Sequence, residues 1–131
     1  LAALRIILND KNIMQRGSNI TPERLRFDFN LDRKLSDDEI KKIEEIVNKK
    51  IKENLDVKCE DMSLAEAKKR RIIGMFEEKY GERVKVYSIG NFSVEICAGP
   101  HVKNTKELGK FKIIKEESSS AGVRRIKAVL E

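Results

Sequence analysis

Cys97 and His101 are the residues of this chain best suited to chemistry, a thiol and an imidazole four positions apart on either side of Ala98-Gly99-Pro100. No helix interior runs through a Gly-Pro step, so the segment reads as a turn, and a turn can make thiolate and imidazole face a common point. Zinc takes four such ligands in a structural site, or three and a water in a catalytic one. The chain holds 1 histidine and 2 cysteines, and the second cysteine, Cys59, has no partner near it in sequence. By arithmetic the pair is half of a metal site. The commoner arrangement of two such residues, a cysteine packed as a small hydrophobe and a histidine satisfied by local hydrogen bonds, accounts for the spacing as well.

The elements that must position this pair are read from periodicity. Leu1 to Leu8 is apolar with Arg5 interposed and reads as the tail of a helix, stopped at Asn9-Asp10. In the stretch from Arg24 to Asn30, Leu25, Phe27 and Phe29 alternate with polar residues, the period of a half-buried strand. Gly17-Ser18-Asn19 and Thr21-Pro22 are read as the turns around it. Ser36-Asp37-Asp38-Glu39 is a capping box with an acidic first turn. The helix it opens carries Ile40, Ile43, Val47 and Ile51 on one stripe and should end near Asn54. A short strand from Val57 to Cys59, a helix from Leu64 to Arg71 and a helical stretch bracketed by Gly74 and Gly81 are expected next. Beyond Gly81 the pattern turns β-like through Val84 and Val86, Phe92, Val94 and Ile96, Phe111 and Ile113, and Ile126, Ala128 and Leu130. Strand alternation puts Ser93, Glu95 and Cys97 opposite Phe92, Val94 and Ile96. The expected fold class is α+β, one domain over residues 1–131, with helices against a largely antiparallel sheet.

Bulk properties narrow the function classes. The 131 residues are 40% hydrophobic and 38% charged, which suits a globular rather than a disordered chain. No apolar run approaches the roughly 20 residues that span a bilayer, and no signal peptide is recognised, so no membrane partner is expected. Two cysteines fall short of a disulfide framework and point to a reducing, cytoplasmic setting. The first residue is Leu1, and the sequence is read as a fragment of a longer chain. A net charge of +6 and a pI of about 9.3 favour a phosphate-bearing partner. The basic residues gather at residues 68–71, at Lys110, Lys112 and Lys115, and at Arg124, Arg125 and Lys127. At 5% aromatic content, base stacking is not the obvious binding mode.

Several unusual blocks, agreeing in order, carry a resemblance. Residues 15–30, QRGSNITPERLRFDFN, resemble the editing domain of alanyl-tRNA synthetases, where a Q-x-G-S stretch precedes an R-L-R-F-D-F strand. Residues 94–131 are similar to the end of that domain, with C-x-G-x-H-V, N-T-x-E-x-G, F-K-I and S-S-x-A-G-V-R-R-I blocks. The likeness spans almost the whole chain and is weakest in its charged middle. One departure is local: Ala98 and Pro100 stand where alanyl enzymes usually have glycine and threonine, and C-x-G-P-H is the form of the related threonyl domain.

The resemblance implies a function and a set of roles. The activity is hydrolysis of mischarged Ser-tRNA(Ala), with Gly-tRNA(Ala) second, at the 3′ aminoacyl ester. The partners implied are the acceptor end of tRNA(Ala) and the catalytic and C-terminal parts of a parent synthetase. In the family a helix carrying H-x-x-x-H precedes an AALR-like segment, here Ala2 to Arg5, so Cys97 and His101 are expected to be two zinc ligands whose helical counterparts lie upstream. With half of the ligand set present, zinc binding by these residues alone should be weak or absent. Gln15 is expected near the amino acid and Gly17 is assigned to backbone geometry. Arg124 and Arg125 point to opposite faces if extended, so at most one of them should point at the pocket, and the other at a tRNA phosphate or a carboxylate. Asp28 suits a structural ion pair at least as well as a catalytic role. The resemblance implies no single group that activates water. Two alternatives remain beside an editing hydrolase: a tRNA-binding structural module without activity, and a freestanding editing protein of the same superfamily.

Overall fold

The computed structural model describes residues 1–74 and 79–131. The fold is α+β and its strands form two antiparallel sheets. In chain order the elements are α1 (Ala2–Leu8), β1 (Gln15–Ile20), β2 (Leu25–Asn30), α2 (Asp37–Lys52), β3 (Val57–Ser63), α3 (Leu64–Lys69), β4 (Arg83–Ile89), β5 (Ser93–Ile96), a 3-10 turn (Thr105–Leu108), β6 (Phe111–Ser120) and β7 (Val123–Leu130). The larger sheet has the order β1-β2-β7-β6 and the smaller β3-β4-β5.

One face of the larger sheet is buried under α1 and α2. Phe29, Ile113, Ile126 and Ala128 meet Ala3, Leu4, Leu35 and Ile43 there, with Ile40 and Val47 of the α2 stripe packed alongside. Ser36 caps α2 by accepting from the Glu39 N–H, and the Glu39 carboxylate accepts from the Ser36 N–H in return. Hydrogen bonds from Arg33 first, and then from the Ser36 backbone, hold the Glu39 pKa at about 2. An acid ionised at the helix N-terminus complements the dipole. On its other flank α2 covers the β6 edge: Asn48 donates to the Phe111 carbonyl at 2.9 Å and accepts from its N–H at 2.7 Å, and Glu44 accepts from the Ile113 N–H. These side chains satisfy edge groups that would otherwise invite another strand.

The smaller sheet buries Met62, Val84 and Val86 against Ala67 of α3, with Ile96 alongside. Its opposite face carries Cys59, Tyr87 and Glu95 in one cross-strand row. Two boundaries differ from expectation. β3 runs on to Ser63, and Gly17-Ser18-Asn19, expected as a turn, lies within β1, where Ser18 pairs with Phe27 and Asn19 with Arg26. The pairing partner supplies what local propensity withholds. Of the helical stretch expected between Gly74 and Gly81, residues 75–78 lie outside the described residues, and Lys79 and Tyr80 are not in a helix.

The segment that carries His101 is tied down beyond its far end. The Val57 N–H donates to the Lys103 carbonyl at 2.9 Å, and Thr105 sits between α2 and β3. The Thr105 hydroxyl accepts from the Leu55 N–H and donates to the Lys50 carbonyl, each at 2.9 Å. At 3% exposure, Thr105→Val leaves the Leu55 N–H without that acceptor, and should cost about 1–3 kcal/mol. Urea denaturation measures this; an unchanged midpoint would show that the hydroxyl does not anchor the segment.

Candidate functional site

Cys97 directly succeeds the last residue of β5, and its N–H still donates to the Lys85 carbonyl at 3.0 Å, so the strand geometry carries through to it. Ile96 turns into the α3-side core, which leaves Cys97 on the opposite face, with Tyr87 and Glu95. The Gly99 N–H donates to the Cys97 sulfur at 3.5 Å. Gly99 has φ +82°, and a Cβ there would lie 2.9 Å from the Tyr87 hydroxyl, so only glycine lets the loop fold this closely. His101 then lies over Tyr87, ring centroids 3.9 Å apart and planes inclined by 34°.

The electrostatics fit this crowding. Partial desolvation pushes the His101 imidazole below its ordinary pKa, and the Glu95 charge pulls the other way. The Tyr87 phenol is raised, first by a hydrogen bond with Cys59, then by desolvation and the charges of Cys59 and Cys97. Tyr87 is therefore the residue on which this cluster centres, and motif and spacing alone do not single it out. The available signal is an aromatic on the polar phase of a strand whose apolar phase is Val84 and Val86.

Cys97 and His101 are donors of the types zinc takes: one thiol that accepts a backbone N–H, and one imidazole on the same loop. Among the described residues no three His, Cys, Asp or Glu side chains converge as a ligand set. α1 packs into the core cluster that also takes in Phe92, just ahead of β5. The same helix reaches the segment ahead of β1, with Arg5 Nε donating to the Ile13 carbonyl at 2.7 Å.

The four residues assigned to the substrate region, Gln15, Gly17, Arg124 and Arg125, do not share one face. Gln15, Phe29 and Arg124 form one row across β1, β2 and β7, on the face that buries Phe29. Gly17, Asp28 and Arg125 form the next row, on the opposite face. Gln15 donates to the Ser18 hydroxyl at 2.9 Å. Arg125 grips Asp28 at 2.8 and 3.1 Å, and Arg124 grips Glu116 through Nε at 3.0 Å. The two arginines do point apart, and both meet carboxylates. Gly17 lies beside an irregularity in the β1–β2 register without a positive φ, and a Cβ there would stand 3.3 Å from the Asp28 carboxylate. Its absent side chain makes room for the ion pair.

The basic clusters are laced with acids in the same way. Arg70 meets Glu60 and Glu66, while Lys115 and Lys127 share Glu117. What remains is a modest cationic surface rather than a bare one.

Comparison with known proteins places the chain. Residues 84–127, from β4 through most of β7, match the family described as the threonyl and alanyl tRNA synthetase second additional domain. Over 128 residues, 98% of the chain, it is 59% identical to an alanine–tRNA ligase of Borrelia garinii, covering 21% of that protein. It is 55% identical over 129 residues to the enzyme of Treponema denticola, and 47% over 127 residues to that of Clostridioides difficile, covering 21% and 14% of those proteins. The family match lies within a chain that is similar along almost its whole length to a stretch of alanine–tRNA ligases. It spans about a fifth of the length of the spirochaete relatives it matches. Among the described residues no helix is long and apolar enough to cross a membrane.

Proposed function

We propose that this chain is a single editing domain, embedded in an alanine–tRNA ligase of the cytoplasm, that hydrolyses Ser-tRNA(Ala), and Gly-tRNA(Ala) second, at the 3′ aminoacyl ester. The observation that carries the reading is the Cys97–His101 loop, folded over Tyr87 within the stretch that matches this family. A pocket that accepts alanine cannot strongly reject glycine or serine, which differ by one small group, so accuracy needs a second, hydrolytic site. The ester is already activated. The protein need only hold the acceptor end, admit a water and favour the charge that develops on the ester oxygen.

Cys97 and His101 would hold two positions of a zinc ion whose other ligands come from outside this pair. Bound zinc would supply a fixed positive charge for orientation, or a more acidic water if a position stays open. The chain's own residues do the rest: β4 and β5 present the loop, Thr105 anchors the segment on its far side, and Gln15 offers an amide on β1. The acceptor end of tRNA(Ala) approaches a net-positive surface, and the rest of the synthetase delivers it.

A second reading has its own support. The described donor set stops at two, which favours a tRNA-binding module without turnover in these residues alone. A deacylation assay on Ser-tRNA(Ala), with and without added zinc, separates the two. Zinc-dependent release of serine is expected, with Ala-tRNA(Ala) spared. Binding without release under both conditions would reject the hydrolase and leave the module.

A further inference from the structure

His101 stands where regular structure gives no support: residues 97–102 belong to no helix or strand, and the imidazole is exposed on its outer side. Something else must hold the ring if it is to serve as a ligand. Tyr87 stands in the middle strand of its sheet, paired to Cys59 of β3 on one side and Glu95 of β5 on the other. Its backbone is fixed by two ladders. A centroid distance of 3.9 Å is shorter than the about 4.5–7 Å usual for aromatic pairs, so the rings are in direct contact. The same side chain reaches under the loop to Gly99, where its hydroxyl would meet any Cβ. One rigid side chain thus touches the loop at two points.

We propose that Tyr87 is a positioning residue for the Cys97–His101 ligand pair, with its ring backing the imidazole and its hydroxyl end seating the Gly99 turn beside the Cys97 sulfur. The proposal rests on reading that pair as metal ligands. Groups behind metal ligands fix their orientation, and removing them typically lowers metal affinity about 10–100-fold. Glu95 also faces His101, yet it accepts from the Ser93 hydroxyl at 3.0 Å. The stacked contact belongs to Tyr87. Packing carries that contact, so the phenylalanine variant should keep the imidazole's support and leucine should not.

The test uses Co²⁺ as the probe and the 131-residue chain, with Tyr87→Phe, Tyr87→Leu and Cys97→Ala beside it. Thiolate-to-cobalt absorption reads the metal, and the NMR signals of His101, the only histidine, read the ring in the metal-free chain. In the parent and in Tyr87→Phe the His101 ring protons should show a ring-current shift, and the two cobalt affinities should agree within about twofold. Tyr87→Leu should move those signals to exposed-histidine values and weaken cobalt binding about tenfold or more. Parent affinity with unmoved His101 signals in Tyr87→Leu overturns the positioning role, as does lost affinity with unmoved signals. Cobalt is titrated to large excess to offset the weak affinity of two donors, and absorption still missing from the parent, or surviving Cys97→Ala, rejects the metal reading and this role with it. The two failures are told apart because the first leaves a Cys97-dependent cobalt signal in place.

Discussion

Glu116→Ala should lower stability by about 3 kcal/mol, the low end of the cost of breaking a buried ion pair. The Glu116 side chain is 2% exposed and that of Arg124 16%, so removing the acid strands a cation that water reaches only partly. Glu116 also accepts from the Leu35 N–H at 2.9 Å, just ahead of the α2 cap, and so joins β6, β7 and the helix entrance. The loss is a large share of the roughly 5–15 kcal/mol typical of a domain, and should lower the urea midpoint by more than about 1 M. Glu116→Gln, which keeps an acceptor for Leu35 and loses the charge, should fall between.

The same pair sets an acid dependence. Desolvation alone would raise the Glu116 pKa, yet hydrogen bonds from Arg124 and the Leu35 N–H, with the charges of Arg124 and Lys34, leave it below the ordinary 4.5. A folded pKa below the unfolded one stabilises the native state at pH above the unfolded value, and that stability is lost as pH falls through the folded value. The gap between the parent and Glu116→Gln should therefore be full at neutral pH and close in acid. A gap that stays constant from neutral pH down to full protonation would mean that the charge on Glu116 contributes nothing.

Sequence patterning located elements better than it located partners. α2 was legible because its cap, stripe and acidic first turn are local signals that agree with one another. β2, β4 and β7 were legible from alternation, since one face of each is buried. β1 was not: Gly17, Ser18 and Asn19 have turn propensities, and the ladder to β2 that overrides them is a contact between segments. Division of the strands into two sheets is likewise a matter of pairing, which periodicity does not encode. At the candidate site, Cys97 and His101 announced themselves by residue type and spacing. Tyr87 did not, because its role depends on a loop folding back across β4. Arg124 and Arg125 looked alike in sequence, and only the register revealed that each faces its own carboxylate.

Cys97→Ala should have the largest effect on activity. Groups that merely stand behind metal ligands cost about 10–100-fold in affinity when removed, so losing the thiolate itself should weaken zinc binding by more than about 100-fold. In the 131-residue chain the two donors leave at least two positions to water or a neighbouring molecule, and zinc measured after dialysis should fall below one ion per chain. With zinc supplied in excess, Ser-tRNA(Ala) deacylation by the parent should exceed that of Cys97→Ala and His101→Ala, both of which drop to the uncatalysed rate. Cys59→Ser is the control: this thiol is exposed, and serine retains a hydroxyl for Tyr87, so zinc content and deacylation should match the parent. The control matters because both cysteines face the same phenol and only one is assigned to metal. If Cys59→Ser lost as much zinc as Cys97→Ala, the site would be built from the two cysteines across Tyr87. Stoichiometric zinc that survives Cys97→Ala would place the metal elsewhere in the chain, and the Cys97–His101 loop would then be a packed turn whose histidine serves only to cover Tyr87.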